Sequence, residues 1–172
     1  MYHIGHGKFT IDLLTPIDID QLFENKSFKE IEEFFGYSNK EEMDKLKEMY
    51  KQGMSTYRYS LVLGVVRSSE FGVIGHCGYH IWNKDHQNAE IFYKLNSDEH
   101  KGKGIMSTLI PLVIEYGWLH MNLVRIQARV AEWNIPSIKL LEKLGFKKEG
   151  LLYKDYKFEG QFHDSLCYSL IK

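Results

Sequence analysis

The sequence predicts an α/β (α+β) protein with one mixed central sheet of about seven strands and about four flanking helices. Three observations predict this class. Short strand-like runs recur along the chain, longer stretches carry apolar residues at helical spacing, and one long apolar helix separates two of the strands. Because that helix makes a crossover, the two strands beside it should run parallel, whereas the strands before it should form an antiparallel meander.

Length and composition are typical of a single domain, which we expect to cover residues 1–172. The chain has 172 residues, of which 44% are hydrophobic and 14% aromatic, so it can bury a substantial core. Its 22 basic and 23 acidic residues give a net charge of −1, which argues against direct nucleic-acid binding or a polybasic membrane surface. Since we find no secretory signal and no membrane-spanning run, we expect a cytoplasmic protein.

The N-terminal part is predicted to contain one strand followed by helices. The strand covers residues 8–15, and Pro16 then suits the first position of a helix. Residues 26–53 carry apolar side chains at helical spacing on either side of Gly36, which separates two helices. The helix caps that we predict along the chain are Thr15, Ser38 and Asn134.

Three strand-like runs joined by short polar turns follow, and they predict the meander. The runs lie at residues 58–66, 72–82 and 89–95. The next helix, at residues 105–121, is apolar over most of its surface and should be largely buried, although Pro111 lies inside it. A strand with clean alternation follows at residues 123–130.

The C-terminal part is predicted to contain one more helix and two strands. The helix begins after Asn134 and ends with Gly145 and Phe146, which suit the positions of a C-terminal capping motif. A short strand starts at residue 147, and the last strand covers residues 164–171. The predicted order is β-α-α-β-β-β-α-β-α-β-β.

A glycine loop lies between the strand at 89–95 and the helix that begins at Ile105. Gly102 and Gly104 let the backbone turn sharply and come close to a ligand. The first turn of the helix presents unpaired N–H groups and the positive end of the helix dipole, so loop and helix together suit a phosphate or pyrophosphate. The side chains that add positive charge are those of His100, Lys101 and Lys103.

The loop resembles motif A of the GNAT N-acetyltransferase superfamily. The motif core Arg/Gln-x-x-Gly-x-Gly/Ala corresponds to residues 101–106, where Lys101 replaces Arg or Gln and Met106 replaces the last Gly or Ala. Residues 131–137 and 141–150 resemble the family's Asn-x-x-Ser/Ala and Glu-Lys-Leu-Gly-Phe signature. With the order of elements, the resemblance covers roughly residues 8–171, and the loop and the last strand are similar to the RimJ/RimL-like branch, which acetylates N-termini of ribosomal proteins.

This resemblance implies acetyl-CoA as co-substrate and no metal. In the family, the pyrophosphate lies on the loop backbone, and the pantetheine hydrogen-bonds where two parallel strands splay apart, here residues 89–95 and 123–130. An N–H group at the end of the first of these strands could stabilise the oxyanion of the tetrahedral intermediate. The residues implied in acetyl-CoA binding are Tyr93, Lys94, Leu95, His100, Lys101, Gly102, Lys103, Gly104, Ile105, Met106, Asn134 and Ser137.

Direct attack of an amine on the thioester requires a base for the ammonium proton and an acid for the departing thiolate. Many members of the family place a Tyr acid where this chain has Leu141, so we assign Ser137 as the acid, with a purely structural first-turn role as the alternative. Glu90 is our candidate base, with an ion pair or a solvated strand edge as the alternative. Glu159 and Asp164 are second choices, and Asp164 could simply fix the start of the last strand.

The predicted activity is therefore that of a transferase, an acetyl-CoA-dependent N-acetyltransferase whose first-choice acceptor is a protein N-terminal α-amine such as that of a ribosomal protein. A small amine (a polyamine or an aminoglycoside) and a non-catalytic acyl-CoA sensor stay open as alternatives, and so does a homodimer. The family varies most in the segment at 26–53, so we expect acceptor contacts there and in the loop at 151–162, with His80 at the border of the acceptor site.

Other ligand classes are disfavoured by the sequence. The loop is a near miss for a dinucleotide fingerprint, but one crossover is too few and the next strand ends without an acidic residue. The Walker A spacing is absent. His76 and His80 lie four apart on a strand, which separates them by about 13 Å and does not suit a metal pair. We expect Cys77 and Cys167 to be free thiols.

Overall fold

The computed structural model of the protein describes residues 1–37, 40–52 and 61–172. The cap predicted at Ser38 and the strand start predicted at residue 58 lie outside these residues. The strands are β1 (Tyr2–His6), β2 (Phe9–Leu14), β3 (Val62–Ser68), β4 (Gly72–Asn83), β5 (Asn88–Leu95), β6 (Arg125–Ala131), β7 (Lys147–Phe158) and β8 (Gln161–Ile171). The α-helices are α1 (Pro16–Asn25), α2 (Phe28–Phe35), α3 (Lys40–Lys51), α4 (Ile105–His120) and α5 (Ile135–Lys143), and a 3₁₀ turn covers Asp98–His100.

The strands form one eight-stranded sheet in the order β1-β2-β3-β4-β5-β6-β8-β7. The pairs β1/β2, β2/β3, β3/β4, β6/β8 and β7/β8 are antiparallel. Strands β5 and β6 are parallel and pair over Asn88–Glu90 and Arg125–Gln127. The mixed sheet and the parallel pair across helix α4 are confirmed, whereas the predicted numbers of strands and helices were each one too small for the described residues.

The chain forms two compact units. Unit 1 consists of Met1–Trp82 and Phe92–Val113, and unit 2 consists of Asn83–Ile91 and Ile114–Lys172. That residues 1–172 act as a single domain stays a prediction.

Helices α1 and α2 in unit 1 begin with capping boxes. The Thr15 hydroxyl accepts a hydrogen bond from the Asp18 N–H (3.4 Å), and the Asp18 carboxylate accepts one from the Thr15 N–H (2.8 Å). Ser27 and Glu30 repeat the arrangement at α2. Helix α2 ends at Gly36, whose φ of +62° favours glycine and confirms the predicted break.

The core of unit 1 lies between helices α1 to α3 and strands β2 and β3. Apolar side chains at helical spacing meet apolar side chains from one face of the two strands, and each fully buried aliphatic side chain stabilises the fold by about 1.5–3 kcal/mol. The buried residues of this core are Leu14, Ile19, Ile31, Phe35, Met43, Leu46, Leu61, Leu63 and Val65.

Strand β4 approaches its neighbours closely because it contains glycines. A Cβ at Gly78, where φ is +139°, would lie 2.0 Å from the Val62 carbonyl oxygen of β3. A Cβ at Gly75 would lie 2.3 Å from the Lys94 carbonyl oxygen of β5. No other residue type fits these two positions without moving backbone, so the glycines fix how β3, β4 and the end of β5 sit together.

In unit 2, helix α5 ends in the predicted capping motif. The Phe146 N–H donates to the Leu141 carbonyl oxygen and the Gly145 N–H to the Glu142 carbonyl oxygen, both at 3.0 Å. These are the two bonds of a Schellman motif, and Gly145 has the positive φ (+88°) that the motif requires. The motif directs the chain from α5 into β7.

We expect Gly78→Ala to lower the free energy of unfolding by at least about 1–3 kcal/mol, because the new methyl group would meet the Val62 carbonyl oxygen in a strained backbone conformation. Chemical denaturation measures the change. Gly150→Ala in β7 is the matched control, since a Cβ there meets no atom within 4 Å. Equal stability of the two variants would contradict the close approach of β3 and β4.

Candidate functional site

The predicted phosphate-binding loop joins β5 to α4 in unit 1. The 3₁₀ turn at Asp98–His100 is followed by Gly102 and Gly104, whose φ values are +72° and +75°. A Cβ at either glycine would be strained but would meet no heavy atom within 4 Å. The glycines are therefore required by the turn rather than by crowding, and the loop backbone is open to a ligand.

The first turn of α4 follows the loop directly. The Thr108 N–H donates to the Gly104 carbonyl oxygen (3.1 Å), which starts the helical hydrogen-bond pattern. The N–H groups of Ile105 and Met106 precede this pattern and have no acceptor within the helix. Both of these side chains are buried, which anchors the turn while its amides face the loop. The geometry suits an anion, as the sequence predicts.

The cationic side chains of the loop lie at the surface. Lys101 pairs with Asp98 at 2.5 Å, and this hydrogen bond lowers the pKa of the Asp98 carboxyl. The His100 ring lies 5.3 Å from the Phe71 ring, and Lys103 is exposed. An exposed ion pair such as Lys101–Asp98 is weak, so it can open to a polyanion at small cost.

The end of β5 is held firmly within unit 1. The Asn96 N–H donates to the Ile74 carbonyl oxygen (2.9 Å), and the Lys94 carbonyl oxygen lies against Gly75. Tyr93, Lys94 and Leu95, which the sequence assigns to the thioester end of acetyl-CoA, lie beyond the stretch of β5 that pairs with β6. The Lys94 side chain lines a cavity in unit 1.

This cavity has a volume of about 630 Å³ and a mainly apolar wall. Its described lining residues come from Tyr37, helix α3, Leu61 and strands β3, β4 and β5. The lining residues are Tyr37, Glu42, Lys45, Leu46, Met49, Leu61, Leu63, His80, Ile81, Phe92 and Lys94. The lining includes His80 and residues of the segment at 26–53, where we expect acceptor contacts. The loop at 151–162 lies in unit 2.

The polar groups of the cavity are organised around one ion pair. The Lys94 ammonium lies 2.6 Å from the Glu42 carboxylate. Burial, and to a smaller extent the charge of Glu42, raises the pKa of Tyr37 to about 12, so its hydroxyl stays protonated at neutral pH. The His80 ring contacts the Phe92 ring edge to face, with 5.6 Å between centroids.

One residue that lines the same cavity, Ile81, has a strained backbone conformation. Ile81 has a φ of +52°, which is a genuine outlier for a β-branched residue. Such conformations cost about 1–3 kcal/mol and occur preferentially at functional sites. Neither this strain nor the Glu42–Lys94 pair could be found from the sequence, since the first is not encoded in a motif and the second joins residues 52 positions apart.

In unit 2, Asn134 caps helix α5 as predicted. Its side-chain oxygen accepts a hydrogen bond from the Ser137 N–H (3.3 Å), and its exposed amide group remains a donor for a ligand. Ser137 is half-buried, and its hydroxyl donates to none of the described residues. Its assignment as the acid stays a prediction. Leu141, at the family's Tyr position, is buried in the helix face and is 1% exposed.

Glu90 in unit 2 is buried and paired. It is 7% exposed, and its carboxylate lies 3.1 Å from the Arg129 guanidinium and accepts a hydrogen bond from Gln127 (3.3 Å). Arg129 also contacts Asp155 at 3.0 Å. The structure therefore shows the ion pair that was the alternative for Glu90. The Oε2 atom of Glu90 is thus engaged with both Arg129 and Gln127.

Asp164 and Glu159, the second choices for the base, lie in strand β8 and in the turn between β7 and β8. The Asp164 carboxylate accepts a hydrogen bond from the Lys154 N–H (2.7 Å) in the stretch where the register between β7 and β8 shifts. Because β8 begins at Gln161, Asp164 lies inside the last strand rather than at the start that the alternative supposed, and its carboxylate joins β8 to β7. Glu159 is exposed in the turn between β7 and β8.

The part of the chain that the structure describes also contains His and Cys side chains outside the candidate site. No group of three or more His, Cys, Asp and Glu side chains there could hold a metal ion. His76 is buried, with its Nε2 atom 2.8 Å from the Phe35 carbonyl oxygen. Burial raises the pKa of Cys77 to about 12, so this thiol is not a nucleophile at neutral pH. None of the described helices is long and apolar enough to cross a membrane.

The family model and three relatives that match this chain are all acetyltransferases. The Acetyltransferase (GNAT) domain model matches residues 8–147. The chain is 31% identical to the uncharacterized N-acetyltransferase YoaA of Bacillus subtilis over 92% of this chain and 90% of that protein. It is 44% identical to the uncharacterized N-acetyltransferase p20 of Bacillus licheniformis, over 58% of this chain and only 56% of p20. It is 31% identical to spermidine N(1)-acetyltransferase of Vibrio cholerae over 72% of this chain and 70% of that enzyme.

Comparison with solved structures confirms the predicted fold class. A dodecameric structure of spermidine N-acetyltransferase from Vibrio cholerae matches with a TM-score of 0.69 and 25% identity, over 96% of this chain and 95% of that chain. The spermidine/spermine N-acetyltransferase of the same organism, in complex with manganese ions, matches with a TM-score of 0.68 and 26% identity, over 95% of this chain and 92% of that chain.

We expect Gly104→Val to weaken CoA binding at least tenfold, because a β-branched residue cannot keep the positive φ that presents the loop amides. Isothermal titration with CoA measures the affinity. Gly160→Val is the matched control, since Gly160 has a similar φ (+81°) and an equally open surrounding but lies in the turn between β7 and β8. CoA affinity that is unchanged in Gly104→Val would remove the loop from the site.

Proposed function

Because the chain belongs to the GNAT acetyltransferase family, we propose that it transfers the acetyl group of acetyl-CoA to the primary amine of a small molecule. The family match carries the acetyl-CoA part of the proposal, since GNAT enzymes use this co-substrate. The choice of acceptor is supported by the spermidine N-acetyltransferases among the relatives and the structural matches. These neighbours favour the small-amine alternative over the protein N-terminus and the RimJ/RimL-like branch that were our first choice.

The loop in unit 1 is proposed to bind the pyrophosphate of acetyl-CoA. Backbone N–H groups between Lys101 and Met106 would donate to its oxygens, and the positive end of α4 would add favourable electrostatics. The backbone of Tyr93 to Leu95 would hold the thioester, where one N–H group could stabilise the oxyanion. In unit 2, the side-chain amide of Asn134 is free to donate to the pantetheine while its oxygen caps α5.

The cavity in unit 1 is proposed to receive the acceptor amine. Phe92 and Lys94 line it, and they belong to the same strand end that would hold the thioester. A volume of about 630 Å³ suits a small molecule. The acceptor nitrogen could thus reach the reacting carbonyl carbon from within unit 1.

The reaction we propose is direct attack by the neutral amine. A bond forms between its nitrogen and the thioester carbonyl carbon, the nitrogen gives up a proton to base or solvent, the carbon–sulfur bond breaks, and the thiolate takes up a proton, which leaves the amide and free CoA. Ser137 is our candidate donor of that proton, because its hydroxyl is otherwise unengaged among the described residues. Glu90 stays the candidate base only if its pair with Arg129 loosens when substrates bind.

A non-catalytic acyl-CoA sensor is the second candidate. The observation in its favour is Leu141, which puts a buried apolar side chain where many members of the family have the Tyr acid. The two candidates differ in turnover and not in affinity for CoA.

An amine panel with acetyl-CoA tests the proposal. The panel contains spermidine, primary monoamines, an aminoglycoside and short peptides with free N-termini, and free CoA and acetylated products are measured by thiol titration and mass spectrometry. We expect CoA release with one or more small amines. Turnover with peptides alone would favour a protein N-terminus, tight CoA binding without turnover would favour the sensor, and no CoA binding would overturn the proposal.

We expect Ser137→Ala to lower kcat by about 10²-fold with little change in CoA affinity, since general acid catalysis typically contributes 10²–10⁴-fold. Steady-state kinetics on the best amine of the panel, together with CoA titration, separates the two quantities. Ser137→Thr keeps a hydroxyl and should recover part of the rate. A kcat that Ser137→Ala leaves unchanged would show that Ser137 is structural.

A further inference from the structure

We propose that the cavity in unit 1 selects a monoamine with an apolar body, and that Lys94 is the specificity-determining residue that excludes polyamines. This inference rests on the proposed function and names the kind of small amine that the site takes. It departs from the substrates named for the spermidine N-acetyltransferase relatives, because it follows from the side chains that line the cavity in this chain.

The wall of the cavity is built for an apolar molecule. Leu46, Met49, Leu61, Leu63 and Phe92 present aliphatic and aromatic groups to the space. A ligand body that covers these groups is stabilised in proportion to the apolar area removed from water. A polyamine carries ammonium groups separated by only a few methylenes, so placing it here would bring at least one charge against the apolar wall without a partner.

The charges in the lining oppose a polycation. Two lysines and one glutamate line the cavity, Lys45, Lys94 and Glu42. Glu42 is already paired with Lys94 at 2.6 Å, and Lys45 pairs with Glu41, which is not in the lining. Among the described residues, the lining therefore has more positively than negatively charged side chains, and the one carboxylate in this set can compensate one ammonium group at most.

Lys94 lies where it can control the access of an ammonium group to the Glu42 carboxylate. Its side chain is about half exposed, whereas that of Glu42 is 29% exposed, so the lysine can swing outward while the glutamate stays in the wall. An acceptor with one ammonium group could exchange with Lys94 at Glu42 before it loses its proton. A second ammonium group of a polyamine would meet the displaced Lys94 and Lys45, and the described lining residues offer it no further carboxylate.

Lys94→Met tests the role of Lys94, because it removes the charge and keeps a long side chain. In the wild-type protein, we expect kcat/KM for 2-phenylethylamine to exceed that for spermidine at least tenfold. In Lys94→Met, Glu42 becomes available to both amines, but only spermidine also loses a repelling charge, so we expect KM for spermidine to fall at least tenfold more than KM for 2-phenylethylamine. Lys26→Met is the matched control, since Lys26 is equally exposed (51%) and also pairs with a glutamate, but lies outside the cavity.

Binding of the two amines to the CoA-loaded protein, measured by isothermal titration, separates this inference from the proposed function. If no amine is acetylated but 2-phenylethylamine binds more tightly than spermidine, and Lys94→Met reverses the order, the selectivity stands and the proposed function fails. Tighter binding or faster acetylation of spermidine by the wild-type protein would overturn the inference. So would a Lys94→Met variant that behaves as Lys26→Met does.

Discussion

The close approach of β4 to the end of β5 is the constraint on which the candidate site depends. Because Gly75 has no side chain, the Lys94 carbonyl oxygen can lie where a Cβ would otherwise stand, and the Asn96 N–H bonds to Ile74 just beyond it. This fixes the last residues of β5, which carry Phe92 and Lys94 into the cavity and lead into the loop with Gly102 and Gly104. One strand end thus positions both the predicted acceptor site and the predicted phosphate site within unit 1.

Elements with local signals could be predicted from the sequence. The caps at Thr15 and Asn134 and the Schellman motif at Gly145 each involve residues within a few positions of one another, so their spacing alone identifies them. Strand β1 was missed because four of its five residues are exposed and no apolar alternation marks it. The parallel pairing of β5 with β6 followed from the crossover helix, which is a rule of topology and needs no contact to be known.

Only part of the candidate site could be predicted from the sequence. The glycine loop is a contiguous motif, so its conformation followed from residue types, and the structure gives both glycines the left-handed backbone that the motif needs. The cavity is assembled from four separate segments, and its decisive ion pair joins Glu42 to Lys94 across 52 positions. Glu90 shows the same limit, since strand alternation gave its position but could not identify Arg129 as its partner.

The likeness to spermidine N-acetyltransferases concerns the fold, whereas the charge of the cavity concerns the choice of acceptor. Shared elements and a TM-score near 0.7 reflect the sheet, the crossover and the loop, which belong to the common fold. Acceptor choice depends instead on a few side chains that the fold does not specify. Here one carboxylate is neutralised from within by a lysine of β5. A polycation needs several carboxylates that are not paired with lysines in this way. A common fold can therefore accept amines of different charge when a single residue such as Lys94 changes the net charge of the cavity lining.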